Sequence, residues 1–288
     1  MNSNILVKLI SNFDSFTPTE QSLARYIMDN KESIVDMSLS TLSANSNVSE
    51  ATVMRLTKKL DLSGYSEFKL KLSASLVSPH DFKSIKDIYS NDSPYEILNK
   101  ITSSTCKALE FTNQIIDPSE LEKAVNLINK IHKSNKNIFI VALGASSIIA
   151  KDLQTKFMRL NINTIYYEDT HLSLESIIGI QEDDLLIVLS TLGKSMHAHH
   201  CMEIAKDNNA SIILITQYGN QSISNKADII LNTANIENNL RLTSQTSRIS
   251  QLIIIDTIFT SLALENDKIQ DEVENTKNLF RKYGYYCD

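Results

Sequence analysis

Three stretches constrain this chain most. Ile138-Phe139-Ile140-Val141-Ala142-Leu143, Leu185-Leu186-Ile187-Val188-Leu189 and Ile212-Ile213-Leu214-Ile215 are continuous apolar runs of strand length. A run without polar alternation has no face to offer water, so each predicts a strand buried on both sides. Weaker runs at Asn163 to Tyr167 and Asp228 to Leu231 bring the set to five, and helical segments near 150–160, 171–179, 195–208 and 220–226 alternate with them. The alternation predicts an α/β three-layer sandwich around a five-stranded parallel sheet. Ligands of such sheets bind at the C-terminal ends of the strands, in the loops that lead into helices.

The first third of the chain reads differently. Thr17-Pro18-Thr19-Glu20 is a capping box with proline at the first helical position, and Leu23, Ala24, Ile27 and Met28 come next at helical spacing. A short helix with Ile34, Val35 and Met37 leads to Ser38–Ala44, which carries Leu39 and Leu42 on one side. Asn45-Ser46-Asn47 is then a turn, with Asn47 an acceptable left-handed residue. Ser49 caps a second helix whose stripe is Val53, Leu56 and Leu60, leaving Glu50, Thr52, Arg55, Lys58 and Lys59 for the remaining surface. After a turn at 61–65, Ser66 is expected to cap a helix through Leu76. The segment is an all-α domain containing a helix-turn-helix, the arrangement that lays its second helix in a DNA major groove. A helical hairpin of this length more commonly serves plain packing, so the motif alone does not decide.

Charge sharpens the picture. The net charge of −6 lies wholly beyond residue 80, since residues 1–80 carry eight basic and eight acidic side chains. Within that neutral part, the excess of Lys and Arg falls on the second helix and on the residues after it as far as Lys71; ordinary solvated helix faces account for such an excess equally well. Periodicity lapses over 78–92, where Ser78-Pro79-His80-Asp81 and Ser90-Asn91-Asp92 read as a linker, with Phe82, Ile85, Ile88 and Tyr89 leaning on a neighbour. The expected domains are therefore 1–77, all α, and 93–288, α/β, the latter opening on helices begun by Ser93-x-x-Glu96 and Asp117-x-x-Glu120. No secretory layout or long apolar span is visible, and Cys106, Cys201 and Cys287 form no C-x-x-C pair, so a cytoplasmic protein with reduced thiols is expected.

Two strand-to-helix loops could hold a ligand. Gly144-Ala145-Ser146-Ser147 comes after the first strand, and Ser190-Thr191-Leu192-Gly193-Lys194-Ser195 after the third. Backbone N–H groups at a helix start, glycines that permit close approach, and hydroxyls are what a phosphate monoester requires. Neither loop fits the dinucleotide or nucleoside-triphosphate patterns, which favours a small phosphorylated compound; two ordinary capped helix starts would look the same.

These loops carry a family resemblance. The α/β half resembles the sugar isomerase (SIS) domain family in Leu143-Gly144-Ala145-Ser146 and in Ser190 to Ser195, and also in Glu168-Asp169-Thr170-His171, Ala227-Asp228, Glu237 to Arg241 and Ser247-Arg248-Ile249. Joined to the helix-turn-helix reading SEATVMRLTKKL, the whole resembles RpiR-type bacterial transcriptional regulators. The resemblance implies a homodimer or homotetramer that binds operator DNA with the first domain and a phosphosugar with the second, without membrane, cofactor or metal. By position it puts Ser146, Ser190 and Ser195, with the Gly193 backbone, at the phosphate, Ser147 and Glu237 near sugar hydroxyls, and Lys194 as a compensating cation. Lys58 and Lys59 are candidates for DNA phosphates, Thr52 and Arg55 for base edges, and Ser49 and Glu50 complete the DNA-facing set. Where the family has a second serine, this chain has Leu192. The lost hydrogen bond is worth about 0.5–1.5 kcal/mol, or up to about 3 to a charged acceptor.

Other features point less far. An aldose–ketose isomerase on the same fold would need a general base, for which Glu237 and His171 are the candidates, and would leave residues 17–76 without a role. His197, His199 and His200, with Cys201, are expected to face solvent instead of holding a metal. Leu252, Ile253, Ile254, Ile255, Ile258 and Phe259 are expected to supply core and subunit interface, and the terminal Leu279, Phe280, Tyr283, Tyr285 and Tyr286 to dock on a partner surface.

Overall fold

The computed structural model describes residues 5–77, 88–218, 221–234, 245–265 and 267–284. Most of the expected linker, Glu237, Arg241, Tyr285 and Tyr286 lie outside them. The chain divides into two compact units: Met1–Ile115 with Gln217–Asn220 and Thr233–Ser247, and Ile116–Thr216 with Gln221–Asn232 and Arg248–Asp288.

The first unit holds seven α-helices among its described residues: α1 (Ile5–Ser11), α2 (Pro18–Asp29), α3 (Lys31–Ile34), α4 (Leu39–Asn45), α5 (Glu50–Lys59), α6 (Tyr65–Val77) and α7 (Pro94–Ile115). Leu9, Leu23, Ile27, Ile34, Leu42, Leu56, Leu60, Phe68 and Leu72 meet in one core. Helix α1 escapes sequence reading because Lys8 interrupts its apolar face. Lys8 is nonetheless only 6% exposed. Its ammonium donates to the Leu60 carbonyl at 3.3 Å, sits 3.7 Å from Asp61 and lies over the Tyr218 ring. The Thr17–Glu20 capping box forms as expected. The start of α6 does not: the helix begins at Tyr65, and Ser63, not Ser66, donates through its N–H and hydroxyl to Glu67, both at 2.7 Å. Glu67 thus reaches back to a residue before the helix, and Ser66, inside the helix, is exposed.

In the second unit, α8 (Pro118–Lys133) precedes β1 (Ile138–Ala142), α9 (Ala145–Arg159), β2 (Thr164–Tyr166), α10 (Thr170–Ile178), β3 (Leu185–Leu189) and α11 (Met196–Asp207). The chain continues through β4 (Ser211–Gln217), α12 (Gln221–Ser224), β5 (Ile229–Thr233), α13 (Gln245–Leu264) and α14 (Asp267–Lys282). The five strands form an all-parallel sheet in the order β2-β1-β3-β4-β5. In register, Ile138 opposes Leu185, and Leu185 opposes Ser211. Alternate residues of the central strands serve opposite cores. Ile138, Ile140, Leu185, Ile187 and Ile213 pack with Leu153, Phe157 and Ile258 on one face. Phe139, Val141, Leu186, Val188 and Leu214 pack with Ile177, Cys201 and Met202 on the other. Carboxylates hold the strand entries: Asp184 accepts from the Asn137 N–H and Asp228 from the Ile212 N–H.

Helix α13 is long and apolar enough, by length and composition, to cross a membrane. Its apolarity has another source, since Ile254, Ile255, Ile258 and Leu262 belong to the sheet core.

The second unit's fold is dictated by its strands, whereas in the first unit an ion pair joins α2 to α5. Glu20, 3% exposed at the start of α2, accepts from Lys59 at the end of α5 at 2.7 Å. Burial pushes the Glu20 carboxyl upward, but the bonds from Lys59 and Thr17 outweigh it and hold the carboxyl below its ordinary value. A depressed carboxylate contributes stability that is present above the ordinary pKa and lost as pH falls through the folded value. Glu20→Gln should therefore lower stability near neutral pH by about 1–3 kcal/mol. Denaturant titrations of both proteins should converge as pH drops below about 4.

Candidate functional site

The helix pair is built locally. Ser38 caps α4 by accepting from the Thr41 N–H at 3.0 Å. Asn47 turns the chain at φ 54°, and the Ser43 hydroxyl donates to the Val48 carbonyl at 2.6 Å, closing the turn. Ser49 then caps α5, accepting from the Thr52 N–H at 3.2 Å. The buried side of α5 is wider than Val53, Leu56 and Leu60, because Thr52 and Thr57 are also buried. Thr52 therefore does not lie on the outer surface that helical spacing assigns it. Its hydroxyl accepts from the Arg55 guanidinium at 3.2 Å, which fixes how Arg55 leaves the helix. Ser49, Glu50, Arg55, Lys58 and Lys59 are exposed, with Lys59 engaged to Glu20. The outward face of α5 thus offers Arg55 and Lys58 as its least committed cations.

The loops of the second unit converge at the C-terminal ends of β1 and β3. Gly144 caps α9 at φ 59°, ψ −129°, a region essentially restricted to glycine. Ser146 is buried and Ser147 half-buried, the latter donating to the Gly144 carbonyl at 2.7 Å. The Tyr166 hydroxyl, at the end of β2, donates to the Ser147 carbonyl at 3.2 Å. In the second loop, Ser190 is buried, Gly193 turns at φ 64°, and Ser195 caps α11 by accepting from the Ala198 N–H. Lys194 is exposed. Leu192, half-buried, occupies the position of the missing hydroxyl.

Residues that sequence reasoning passes over hold these loops together. The Thr216 hydroxyl, near the end of β4, donates to the Ser190 carbonyl at 2.7 Å. His199 donates through Nε2 to the Gly193 carbonyl at 3.0 Å, since a carbonyl only accepts. Gln251 on α13 joins Ser146 to Thr191, with Ser146 donating to its Oε1 at 3.2 Å and its Nε2 donating to Thr191 at 3.1 Å. A signal exists for Gln251: a polar side chain opening the apolar run 252–255 must find partners once buried.

The histidines differ from expectation. Only His200 is exposed; His199 is engaged as above, and His197 Nε2 lies 3.1 Å from Ser173 Oγ and 3.6 Å from Cys201. Burial first, and then the neighbouring His200, lowers the His197 pKa, while burial pushes the Cys201 thiol up to about 11. A thiol held that far from thiolate keeps its proton at neutral pH, and Cys201 and His197 are within hydrogen-bond distance of each other. Among the described residues, no cluster of three or more His, Cys, Asp or Glu is suited to a metal. His171 is exposed beside Asp169, which caps α10.

Known proteins share both units. Residues 3–79 match the family described as helix-turn-helix domain, rpiR family, and residues 130–261 match the SIS domain. An uncharacterized HTH-type transcriptional regulator of Bacillus subtilis, YbbH, is 32% identical over 86% of both chains. The HTH-type transcriptional regulator HexR of Escherichia coli is 25% identical over 97% of this chain and 95% of its own. Among solved structures, the Vibrio vulnificus NanR protein complexed with ManNAc-6P covers 97% of this chain and 99% of its own, with TM-score 0.59 and 25% identity. The sugar isomerase domain of an RpiR transcription factor from Sphaerobacter thermophilus, at 14% identity, covers 64% of this chain and 99% of its own with TM-score 0.56, and so supports the fold.

The Gly144 geometry gives a direct test. An added Cβ there meets nothing within 4 Å, so the cost of Gly144→Ala is torsional and not steric. Chemical denaturation should show a loss of about 1–3 kcal/mol. A neutral result would mean that the turn relaxes without the left-handed residue.

Proposed function

The chain belongs to the RpiR family of helix-turn-helix transcriptional regulators, a regulator and not an enzyme, and from that premise we propose that it regulates sugar or amino-sugar metabolism in the cytoplasm in response to a phosphorylated sugar. The carrying observation is the coexistence in one chain of an exposed basic face on α5 and two hydroxyl-bearing loops at helix starts beyond parallel strands. The relative named NanR was solved with ManNAc-6P, which supports a phosphorylated amino sugar as effector.

In this reading, residues 1–77 form the DNA-binding domain, 78–92 the linker and 93–288 the effector and oligomerisation domain. Arg55 reads base edges from a position braced by Thr52, Lys58 meets backbone phosphate, Ser49 and Glu50 flank the groove, and Lys59 links the helix to Glu20 beside a phosphate. Ser146, Ser190, Ser195 and the Gly193 backbone receive the effector phosphate, with Lys194 at the rim and Ser147 and Glu237 toward the sugar. One copy of a domain of zero net charge binds DNA weakly, so a homodimer or homotetramer presents paired α5 helices to two half-sites. A ligand that binds one spacing of those helices better shifts the population toward it.

Two measurements test this. In gel shifts on genomic fragments, Arg55→Ala should lose about 1–3 kcal/mol and relax sequence preference. Lys58→Ala should weaken all sequences alike and reduce the salt slope by about 1. Binding unchanged in both variants would remove α5 from the interface. In a thermal-shift screen of phosphorylated sugars and amino sugars, a true effector at about a hundred times its Kd adds about 2.7 kcal/mol, a rise of several degrees. Uniformly flat curves would mean that the effector site does not bind this class.

A further inference from the structure

Helix α5 ends on Asp61, which turns at φ 59° with its N–H on the Lys58 carbonyl and the Leu62 N–H on the Thr57 carbonyl. Such a left-handed helix end is a place for glycine or asparagine. Helices α4, α8, α9 and α11 end with the same pair of bonds, and their left-handed residues are Asn47, Asn135, Asn161 and Asn209. Of these five, α5 alone carries a charge there. A negative charge at a helix C-terminus opposes the helix dipole, so the turn itself gives no reason for a carboxylate. The contacts of Asp61 do. It accepts from the Tyr218 hydroxyl at 2.9 Å and lies 3.7 Å from the Lys8 ammonium. That ammonium in turn donates to the Leu60 carbonyl and sits 4.8 Å from the centre of the Tyr218 ring.

Tyr218 is placed by the strand before it. Its N–H donates to the Thr233 carbonyl at 3.0 Å, and its ring packs with Ala108, Phe111 and Ala234. Strand β4 ends one residue earlier, at the buried Gln217, and the fully buried Thr216 donates to the Ser190 carbonyl of the effector loop. A shift of that loop on binding a phosphate therefore acts two residues along the chain from Tyr218. Resting on the phosphosugar reading, we propose that Tyr218 is a positioning residue for α5: it carries the state of the Ser190–Ser195 loop to Asp61, so that effector binding changes how the DNA-reading helix is held. The made and the broken Tyr218–Asp61 bond are the two states such a link requires. An effector that favours one of them shifts α5 with it.

The test is the affinity for a labelled genomic fragment that the parent protein retains in gel shifts, measured by anisotropy with and without saturating N-acetylmannosamine 6-phosphate or inorganic phosphate. Calorimetric titration with both compounds and thermal unfolding accompany each variant. Whichever compound the parent binds should change its DNA affinity by roughly 5- to 150-fold. Tyr218→Phe keeps the ring over Lys8, and Asp61→Gly keeps the left-handed turn. Each should cut that response to about twofold or less while binding the compound within about threefold of the parent. Arg55→Ala should lose DNA affinity yet keep the full response, a separation that a general loss of structure would not give. If the parent binds neither compound, the phosphosugar reading falls and this inference falls with it. If the parent binds one but its DNA affinity stays the same, or if either variant responds as fully as the parent, the role of Tyr218 is overturned while the phosphosugar reading stands. Should one variant fail to fold, the other decides alone.

Discussion

Burial of the central strands on both faces is the constraint on which the second unit depends. Residues 138–142 and 185–189 are buried throughout, and their alternate side chains feed two separate cores. A strand with no wet face can pair with its parallel neighbours only if helices return over both sides. That requirement brings the loops after β1 and β3 to the same edge of the sheet. The hydroxyls of Ser146, Thr191 and Ser190 meet there because hydrophobic burial leaves the chain few alternatives, and the polar contacts refine a placement that packing has already made.

The first unit has no such sheet, and its order comes from smaller contacts. The local devices are strong: a capping box at Thr17, serine caps at Ser38 and Ser49, and a left-handed Asn47. Between elements, buried charge adds direction to the hydrophobic core. Glu20 reaches Lys59 across 39 residues, and Lys8 reaches the Leu60 carbonyl across 52, so both contacts fix the packing around the end of α5. A buried charge left alone is costly, which makes these contacts specific even where their net contribution is modest. The Glu20 contact also engages Lys59, which leaves Arg55, braced by Thr52, and Lys58 as the less committed cations of α5.

Much of this is legible in the residues. The five strands, their parallel arrangement and the helix-turn-helix are set by periodicity, caps and turn residues, each an effect of neighbours within a few positions. The departures share a cause. Lys8 hides helix α1, α6 begins at Tyr65 with Ser63 donating to Glu67 and Ser66 inside the helix, Thr52 turns inward, and His197 and His199 leave the solvent for hydrogen-bond partners. In each case a polar side chain is buried or engaged in a hydrogen bond that apolar periodicity does not register.

The sequence by itself therefore determined the elements, the sheet type and the two places where a partner could bind, because these depend on short-range geometry and on which segments cannot face water. Only the tertiary structure decided what each polar residue at those places does. The bonds of Gln251 to Ser146 and Thr191 span 105 and 60 residues, and that of Thr216 to Ser190 spans 26. Hydrogen-bond partners at such separations are set by how the strands and helices pack, and no pattern of neighbours in the chain encodes them.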